Sequence, residues 1–215
     1  KATNCLFHDA ATHTLHAVDA VKSTKIHLFV DERKSHMENQ RIRLSKAMLK
    51  NALMGLLKEK PIEKISVYEL CAAAQINRTT FYKYYGSQYE LLTDAENDYF
   101  RKLEDVLSEN ASDGRDSLCR VLEALLADEA AFMTLAGSLP DRDFSDKLFN
   151  LPAIRMQFDM AIPDAFSDRE RAHLRVFFYQ GGYALIREWL RRGEDRESPR
   201  VMADFLYGII RKLMQ

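Results

Sequence analysis

The stretch that decides the fold runs from Ile65 to Leu92 and reads ISVYELCAAAQINRTTFYKYYGSQYELL. Near its start, Ser66 and Glu69 stand three residues apart, which is the spacing of a capping box. In a capping box each side chain satisfies an exposed backbone N–H of the other residue, so the pair marks the start of a helix. The sequence therefore predicts a short helix from Val67 to Ala74.

A second short helix is predicted after a turn of three residues. Asn77 is a good N-cap, because its side-chain carbonyl accepts from a free backbone N–H of the first turn. The helix is predicted from Arg78 to Tyr84, and Gly86 closes it. Upstream, apolar residues at helical spacing predict a bracing helix over residues 43–58. This arrangement is typical of a helix-turn-helix, whose second helix enters the major groove of DNA.

The second helix carries residue types that suit DNA. Hydroxyl groups and cations bind phosphates and base edges, while Ile76, Phe81 and Tyr85 supply the apolar side that holds the helix to its domain. The predicted DNA-binding residues are Arg78, Thr79, Thr80, Tyr82, Lys83 and Tyr84 on this helix, with Arg41, Arg43 and Ser66 near the phosphates. An ordinary helical hairpin with a polar face is the alternative interpretation.

Charge is distributed unevenly along the chain. The 215 residues together have a formal net charge of −1, which alone argues against a nucleic-acid partner. Residues 41–86, however, carry nine Lys and Arg against three Asp and Glu, a net charge of +6, whereas residues 87–215 carry 17 against 24, a net charge of −7. A basic module ahead of an acidic body is expected if one end of the molecule meets phosphates.

The rest of the chain also favours helices. Only 5 Pro and 8 Gly occur, and the capping-box spacing recurs at Ser87 with Glu90 and at Ser167 with Glu170. The further predicted helices cover residues 87–107, 118–125, 130–139 ending at Pro140, one or two pieces of 144–161 interrupted by Pro152, 168–192, and 199–215 starting at Pro199. The predicted fold class is all-α.

With its preceding helix, the stretch from Ile65 to Leu92 resembles the DNA-binding signature of the TetR/AcrR family of bacterial transcriptional regulators. The specific part is the run Thr80, Phe81, Tyr82 followed by Tyr84, Tyr85 and Leu91. The stretch YQGGYALIREWLRRGEDRESPRVMADFL, from Tyr179 to Leu206, is similar to the end of a subset of this family. The resemblance implies a TetR-like, nine- or ten-helix Ω-shaped homodimer with a small-molecule pocket in its body and usually a repressor role.

Two positions depart from the family pattern. The turn residue that is usually Gly is Gln75, so the turn either takes a left-handed conformation at a cost of about 1 to 2 kcal/mol or has a different geometry. The fourth helix starts with Gln88 where the family often has Lys. One phosphate contact is therefore expected to be weaker, or to come from backbone amides at the helix N-terminus.

Three parts of the chain are expected. Residues 1–36 mix histidines with small polar residues and one possible strand at 26–30, and the chain begins with Lys, so this part is predicted to be a peripheral leader or N-terminal extension. Residues 37–86 form the predicted helix-turn-helix domain. Residues 87–215 form the predicted effector-binding and dimerisation body.

Other classes of protein find little support in the sequence. No apolar run reaches the roughly 18 residues of a membrane span and no signal peptide opens the chain, so a cytoplasmic protein without membrane contact is expected. The three cysteines, Cys5, Cys71 and Cys119, lie far apart, so no disulfide, metal site or cofactor is expected. Catalytic motifs such as HExxH, a phosphate-binding loop or Gly-x-Ser-x-Gly do not occur, which argues against a helical enzyme. The acidic residues Asp141, Asp143 and Asp146 are interpreted as part of a solvated loop beside Pro140.

The body is predicted to carry a dimer interface and an effector pocket. The last two helices are unusually apolar for terminal helices, so they are predicted to form a homodimer through Gly181, Leu185, Met202, Phe205 and Ile209, or alternatively only to complete the chain's own core. A small, partly apolar effector is predicted to bind among Phe132, Met133, Phe149, Phe158, Phe177 and Tyr183, each of which is otherwise ordinary core. A regulator with a filled core that responds to a protein partner is the second hypothesis.

Overall fold

A computed structural model describes residues 39–107, 114–138 and 141–213. The chain divides into two compact units at Met48, inside a helix that spans residues 39–57 (α1). Of the first unit, only residues 39–48 belong to the described part, and they are helical. The N-terminal extension predicted for residues 1–36, with its possible strand, lies outside the described residues.

Helices make up almost all of the described second unit. After α1 they are α2 (Val67–Ala74), α3 (Arg78–Tyr84), α4 (Gln88–Leu107), α5 (Gly114–Ala127), α6 (Glu129–Ala136), α7 (Asp141–Phe149), α8 (Pro152–Ala161), α9 (Asp168–Arg191) and α10 (Pro199–Leu213), with short 3-10 turns at Ile62–Lys64 and Gly193–Asp195. The predicted bounds of α2 and α3 are confirmed, as is the all-α fold class over the described residues.

Local caps set most of these bounds. The capping boxes of Ser66 with Glu69 and of Ser167 with Glu170 are both complete. The box predicted at Ser87 is only half formed: Ser87 Oγ accepts from the Glu90 amide at 3.3 Å. The Glu90 carboxylate instead accepts from the Gly86 amide at 2.8 Å, so it caps one residue earlier than predicted.

One predicted boundary in the body is confirmed and two are corrected. Residues 144–161 are divided between two helices at Pro152, as the sequence allowed, and Pro152 occupies the first position of α8, where its missing N–H costs nothing. The helix predicted to reach residue 139 ends at Ala136, followed by a turn at Gly137, a poor helix former. The loop predicted around the three aspartates is the start of α7, in which Asp143 is exposed.

The turn between α2 and α3 takes the left-handed conformation. Gln75 has φ 54° and ψ 38°, and it is the non-glycine residue with positive φ in the described part of the chain. Its N–H donates to the Ala72 carbonyl at 3.2 Å, and the Ile76 N–H donates to the Cys71 carbonyl at 2.9 Å. These two bonds are those of a Schellman motif, which ends a helix and reverses the chain. Gln75 therefore reproduces the turn for which glycine is the unstrained residue.

Several buried contacts join the helices of the body. The Trp189 side chain on α9 is 2% exposed, and its indole N–H donates to the Glu197 carbonyl at 2.8 Å. Arg196, in the same connection to α10, pairs with Glu129 on α6 at 2.7 Å. The α9–α10 connection is thereby fixed against both the end of α9 and α6.

The strain at Gln75 leads to a stability prediction. Gln75→Gly should raise the free energy of unfolding by about 1 kcal/mol, because glycine has no Cβ to penalise the left-handed backbone. For a chain of this size that corresponds to a melting temperature about 2 to 4 °C higher. Gln75→Ala is the matched control, since alanine keeps the Cβ and should gain nothing. Equal melting temperatures for the Gly and Ala variants would contradict the strain.

Candidate nucleic-acid interface

Helix α3 is anchored on one side by aromatic packing. Phe81 is fully buried, and its ring lies 5.4 Å from that of Tyr82 and 5.8 Å from that of Tyr85. On α2, Leu70 and Ala74 are buried as well. Because Phe81 and Tyr85 take up the inner side of α3, the polar residues between them are left on its outer side.

The outer side of α3 is polar and cationic. Arg78, Thr79 and Lys83 are exposed, and Tyr82 is 51% exposed with the Arg78 guanidinium 5.9 Å from its ring centre. Thr80 and Tyr84, also predicted to bind DNA, are half-buried. The structure thus places the predicted residues of α3 on one short helix, and four of them are exposed.

The start of α3 is fixed by its cap. The Asn77 side-chain oxygen accepts from the Thr80 amide at 2.7 Å, as the sequence predicts for an N-cap. This bond sets the first turn of the helix, and with it the positions of Arg78 and Thr79.

The Ser66 side chain caps the start of α2. Its hydroxyl accepts from the Glu69 amide at 3.2 Å and donates to the Glu69 carboxylate at 2.9 Å. Lys60 and Ser66 lower the pKa of Glu69 to about 2. Because folding lowers the pKa of Glu69, the cap contributes fully to the stability of the fold above about pH 4.5. This contribution is lost as the pH falls toward 2. A phosphate contact by the Ser66 hydroxyl would have to compete with the cap.

Two exposed tyrosines were missed by the sequence analysis. Tyr68 on α2 is 71% exposed, and Tyr89 in the first turn of α4 is 47% exposed. From sequence alone, a tyrosine within a helix is ordinarily assigned to the hydrophobic core. Only the structure shows that the side chains of Tyr68 and Tyr89 are exposed. Each presents a hydroxyl that suits a phosphate oxygen.

Arg41 and Arg43 belong to the first compact unit. Both are exposed on the early turns of α1. Their predicted contact with phosphates stays a prediction.

The residue that follows α3 is tied to the next helix. The Tyr85 hydroxyl donates to the Asp94 carboxylate on α4 at 2.6 Å, and Lys50 on α1 lies 2.9 Å from the same carboxylate. Burial and the neighbouring Asp94 raise the pKa of Tyr85, so its hydroxyl remains a donor at neutral pH. The end of α3 is therefore held by a charged hydrogen bond as well as by packing.

The residues predicted to line an effector pocket fall into separate groups. Phe132 and Tyr183 pack with Phe144 in one aromatic cluster, while Phe149 stacks on Tyr179 at 4.8 Å and Phe158 packs beside it. Met133 is half-buried. Phe177 is 63% exposed, so the structure does not bring it to the interior with the others.

An open groove of about 560 Å³ runs along α8. Its lining residues are Asn150, Pro152, Arg155, Met156, Asp159 and Met160. None of the predicted pocket residues lines this groove. It lies outside the two aromatic clusters, and its wall alternates methionines with an Arg155–Asp159 ion pair.

The residues predicted to form a dimer interface divide between two faces. Leu185 and Phe205 are 39% and 54% exposed, whereas Met202 is 7% exposed and belongs to the chain's own core. Ile209 is half-buried. A Cβ added at Gly181 would meet open space, so that glycine lies on the exposed face of α9.

The neighbouring glycine has a different role. A Cβ at Gly182 would lie 3.4 Å from the Phe149 ring, so Gly182 allows α7 to approach α9 within the chain. The sequence alone does not distinguish Gly182 from Gly181, since only the side chains opposite each position differ.

The described residues hold no group of three or more His, Cys, Asp or Glu side chains placed to bind a metal ion. Over the same residues, no helix is both long and apolar enough to cross a membrane.

Comparison with known proteins identifies the fold. No protein-family model matches the chain, and no curated protein matches it. Among solved structures, the chain is similar to a TetR transcriptional regulator from Streptococcus agalactiae 2603V, with a TM-score of 0.66 and 20% identity over 82% of this chain and 98% of that one. The chain has the TetR fold.

A second solved structure is more distant. The dihydroxyacetone kinase operon activator DhaS matches with a TM-score of 0.48 and 18% identity over 79% of this chain and 96% of that chain. The similarity to the Streptococcus agalactiae regulator confirms the predicted TetR resemblance at the level of the fold.

Proposed function

We propose that this chain is a DNA-binding transcriptional regulator that reads duplex DNA with the outer side of α3. The observation that carries the proposal is the contrast within α3: Phe81 is fully buried, while Arg78, Thr79 and Lys83 are exposed. A polar, cationic helix held by one apolar side suits insertion into the major groove. The TetR fold supports the same assignment.

The charges of the basic module support this proposal. Of its three acidic residues, Glu69 is paired with Lys60, and on α3 Arg78 and Lys83 are both exposed. Tyr68 and Tyr89 add hydroxyls for phosphates on either side of α3 in the sequence. In this proposal residues 37–86 are the DNA-binding domain and residues 87–215 the effector-binding and dimerisation domain, and the regulator acts in the cytoplasm.

DNA binding is tested with duplex fragments selected from the source genome. Lys83→Ala should weaken binding and reduce the slope of log affinity against log salt by about 0.9, because one phosphate is no longer neutralised. Tyr82→Ala should weaken binding further, with a smaller effect on the slope. Lys102→Ala is the matched control, since Lys102 is exposed on α4 in the acidic body.

The decisive variant combines both substitutions on α3. If Lys83→Ala with Tyr82→Ala binds selected DNA with the wild-type affinity and salt slope, α3 is not the reading helix. Equal losses of DNA affinity in the α3 and Lys102 variants would also contradict the assignment of α3 as the reading helix, because they would indicate a general charge effect.

We further propose that the regulator is a homodimer formed by the outer faces of α9 and α10. Phe177 and Leu185 on α9, with Val201 and Phe205 on α10, expose large apolar side chains on these faces. Gly181 and Gly208 leave open space on the same two helices, which permits close helix approach. Exposed apolar side chains on two consecutive helices suit a symmetric interface.

Phe205→Glu should give monomers in analytical ultracentrifugation, because it places a charge in the centre of the apolar face. DNA affinity should fall with it, since two half-sites are no longer read together. Met160→Glu is the control, because Met160 is 66% exposed on α8 and lies outside the face. A wild-type protein that is monomeric at micromolar concentration would contradict the dimer.

We propose that the regulator is a repressor that a small, partly apolar effector releases from its operator. Phe100 on α4 lies 5.0 Å from Phe144, which packs with Phe132 and Tyr183. A ligand that separates these rings would displace α4, which is joined to the end of α3 by only three residues. Such a ligand shifts the population away from the DNA-binding form if it prefers the displaced conformation.

The effector is sought by a thermal-shift screen of metabolites, followed by titration into the operator complex. A true effector should weaken operator affinity by about 5- to 150-fold, and Phe132→Ala should reduce its binding. Binding that leaves operator affinity unchanged would reject that ligand. If purified protein partners release the operator and no metabolite does, the protein-controlled alternative is the better description.

A further inference from the structure

One turn of α4 is held on two opposite faces. Asp94 and Asp98 are four residues apart and share a face, whereas Glu96 lies between them and points about 200° away from each. The first face contacts the helix-turn-helix, and the second contacts α7 in the body. The same five residues thus connect the two parts of the molecule.

The contacts toward the helix-turn-helix are ionic. The Lys50 ammonium on α1 lies 2.9 Å from Asp94 Oδ2 and also pairs with Asp98. Its side chain is only 15% exposed. The Tyr85 hydroxyl donates to the same Asp94 oxygen at 2.6 Å, directly after α3 ends. A displacement of this turn of α4 would therefore carry α1 and the end of α3 with it.

The contact toward the body is a buried ion pair. Glu96 is 1% exposed, and its Oε2 accepts from Lys147 Nζ on α7 at 2.5 Å. Its other oxygen, Oε1, has no hydrogen-bond partner among the described residues. Burial raises the pKa of Glu96, and Lys147 opposes that effect.

Stability alone does not account for this pair. A buried carboxylate with one unsatisfied oxygen carries a desolvation penalty, and buried ion pairs are often replaced by apolar residues without loss of stability. An ion pair has a directional geometry that an apolar contact lacks. It can therefore fix the register of one helix against another. Glu96 and Lys147 fix α4 against α7 at the turn that carries Asp94 and Asp98.

We propose that Glu96 and Lys147 are positioning residues that set the DNA affinity of the regulator by fixing α4 to α7, without contacting DNA. This inference rests on the proposed function of α3. Without the pair, α4 slides among several packed positions, and only a fraction of the molecules present α3 correctly. The apparent dissociation constant then rises in inverse proportion to that fraction.

The test replaces the pair with apolar side chains of similar size. Glu96→Met with Lys147→Met should bind selected duplex DNA about 5- to 10-fold more weakly than the wild type. Its melting temperature should be equal or higher, and the salt slope of binding should be unchanged, because no phosphate contact is lost. A purely structural role would instead lower stability and affinity together.

The matched control removes another ion pair of the body. Arg192→Met with Glu197→Met deletes an ion pair of 3.0 Å at the end of α9, away from α4, and should leave DNA affinity unchanged. If the double variant at Glu96 and Lys147 does not melt cooperatively, Lys147→Met alone is measured, since Lys147 is 40% exposed and Glu96 can take up a proton. The same loss of affinity at unchanged salt slope is expected.

Two outcomes contradict the inference in distinguishable ways. If the wild type binds selected DNA and the folded Met variants bind it equally well, the positioning role is wrong and the proposed function stands. If the wild type binds no duplex more tightly than random DNA, the proposed function fails and the positioning role fails with it.

Discussion

The position of α4 is the constraint on which the rest of this structure depends. Its early turns carry Asp94, which binds both Lys50 and Tyr85, while Glu96, Tyr99 and Phe100 face the body and are buried. A helix held by contacts on two faces cannot move on one side without disturbing the other, because packed interiors deform in discrete steps. The position of α4 therefore affects both the orientation of α3 and the packing of the body.

Local signals in the sequence were sufficient to predict the helix-turn-helix. The capping box at Ser66 and the N-cap at Asn77 each start a short helix. Both depend on contacts between residues close in sequence, so the bounds of the two helices could be predicted. The turn at Gln75 is also set by contacts between residues close in sequence, although its backbone is strained. Two alternative geometries were open for it, and the Schellman hydrogen bonds of the neighbouring backbone select the left-handed one despite the Cβ.

Contacts between distant residues could not be predicted in the same way. Glu96 and Lys147 are 51 residues apart, and nothing in the sequence near either residue indicates that they pair. Phe177 and Phe178 are both aromatic residues on α9, yet Phe177 is exposed while Phe178 packs on Phe158. The pattern of apolar residues indicates that a helix has a buried side, but the neighbours that cover each position are set by tertiary packing.

The most direct test of the whole account is a selection of genomic fragments that bind the purified protein, followed by hydroxyl-radical footprinting of the enriched sites. We predict an inverted repeat with two protected half-sites whose centres are separated by a whole number of helical turns of about 10 base pairs, as expected for a symmetric dimer that inserts one α3 per half-site. Footprints without two-fold symmetry, or fragments bound no more tightly than random DNA at the same salt concentration, would contradict it.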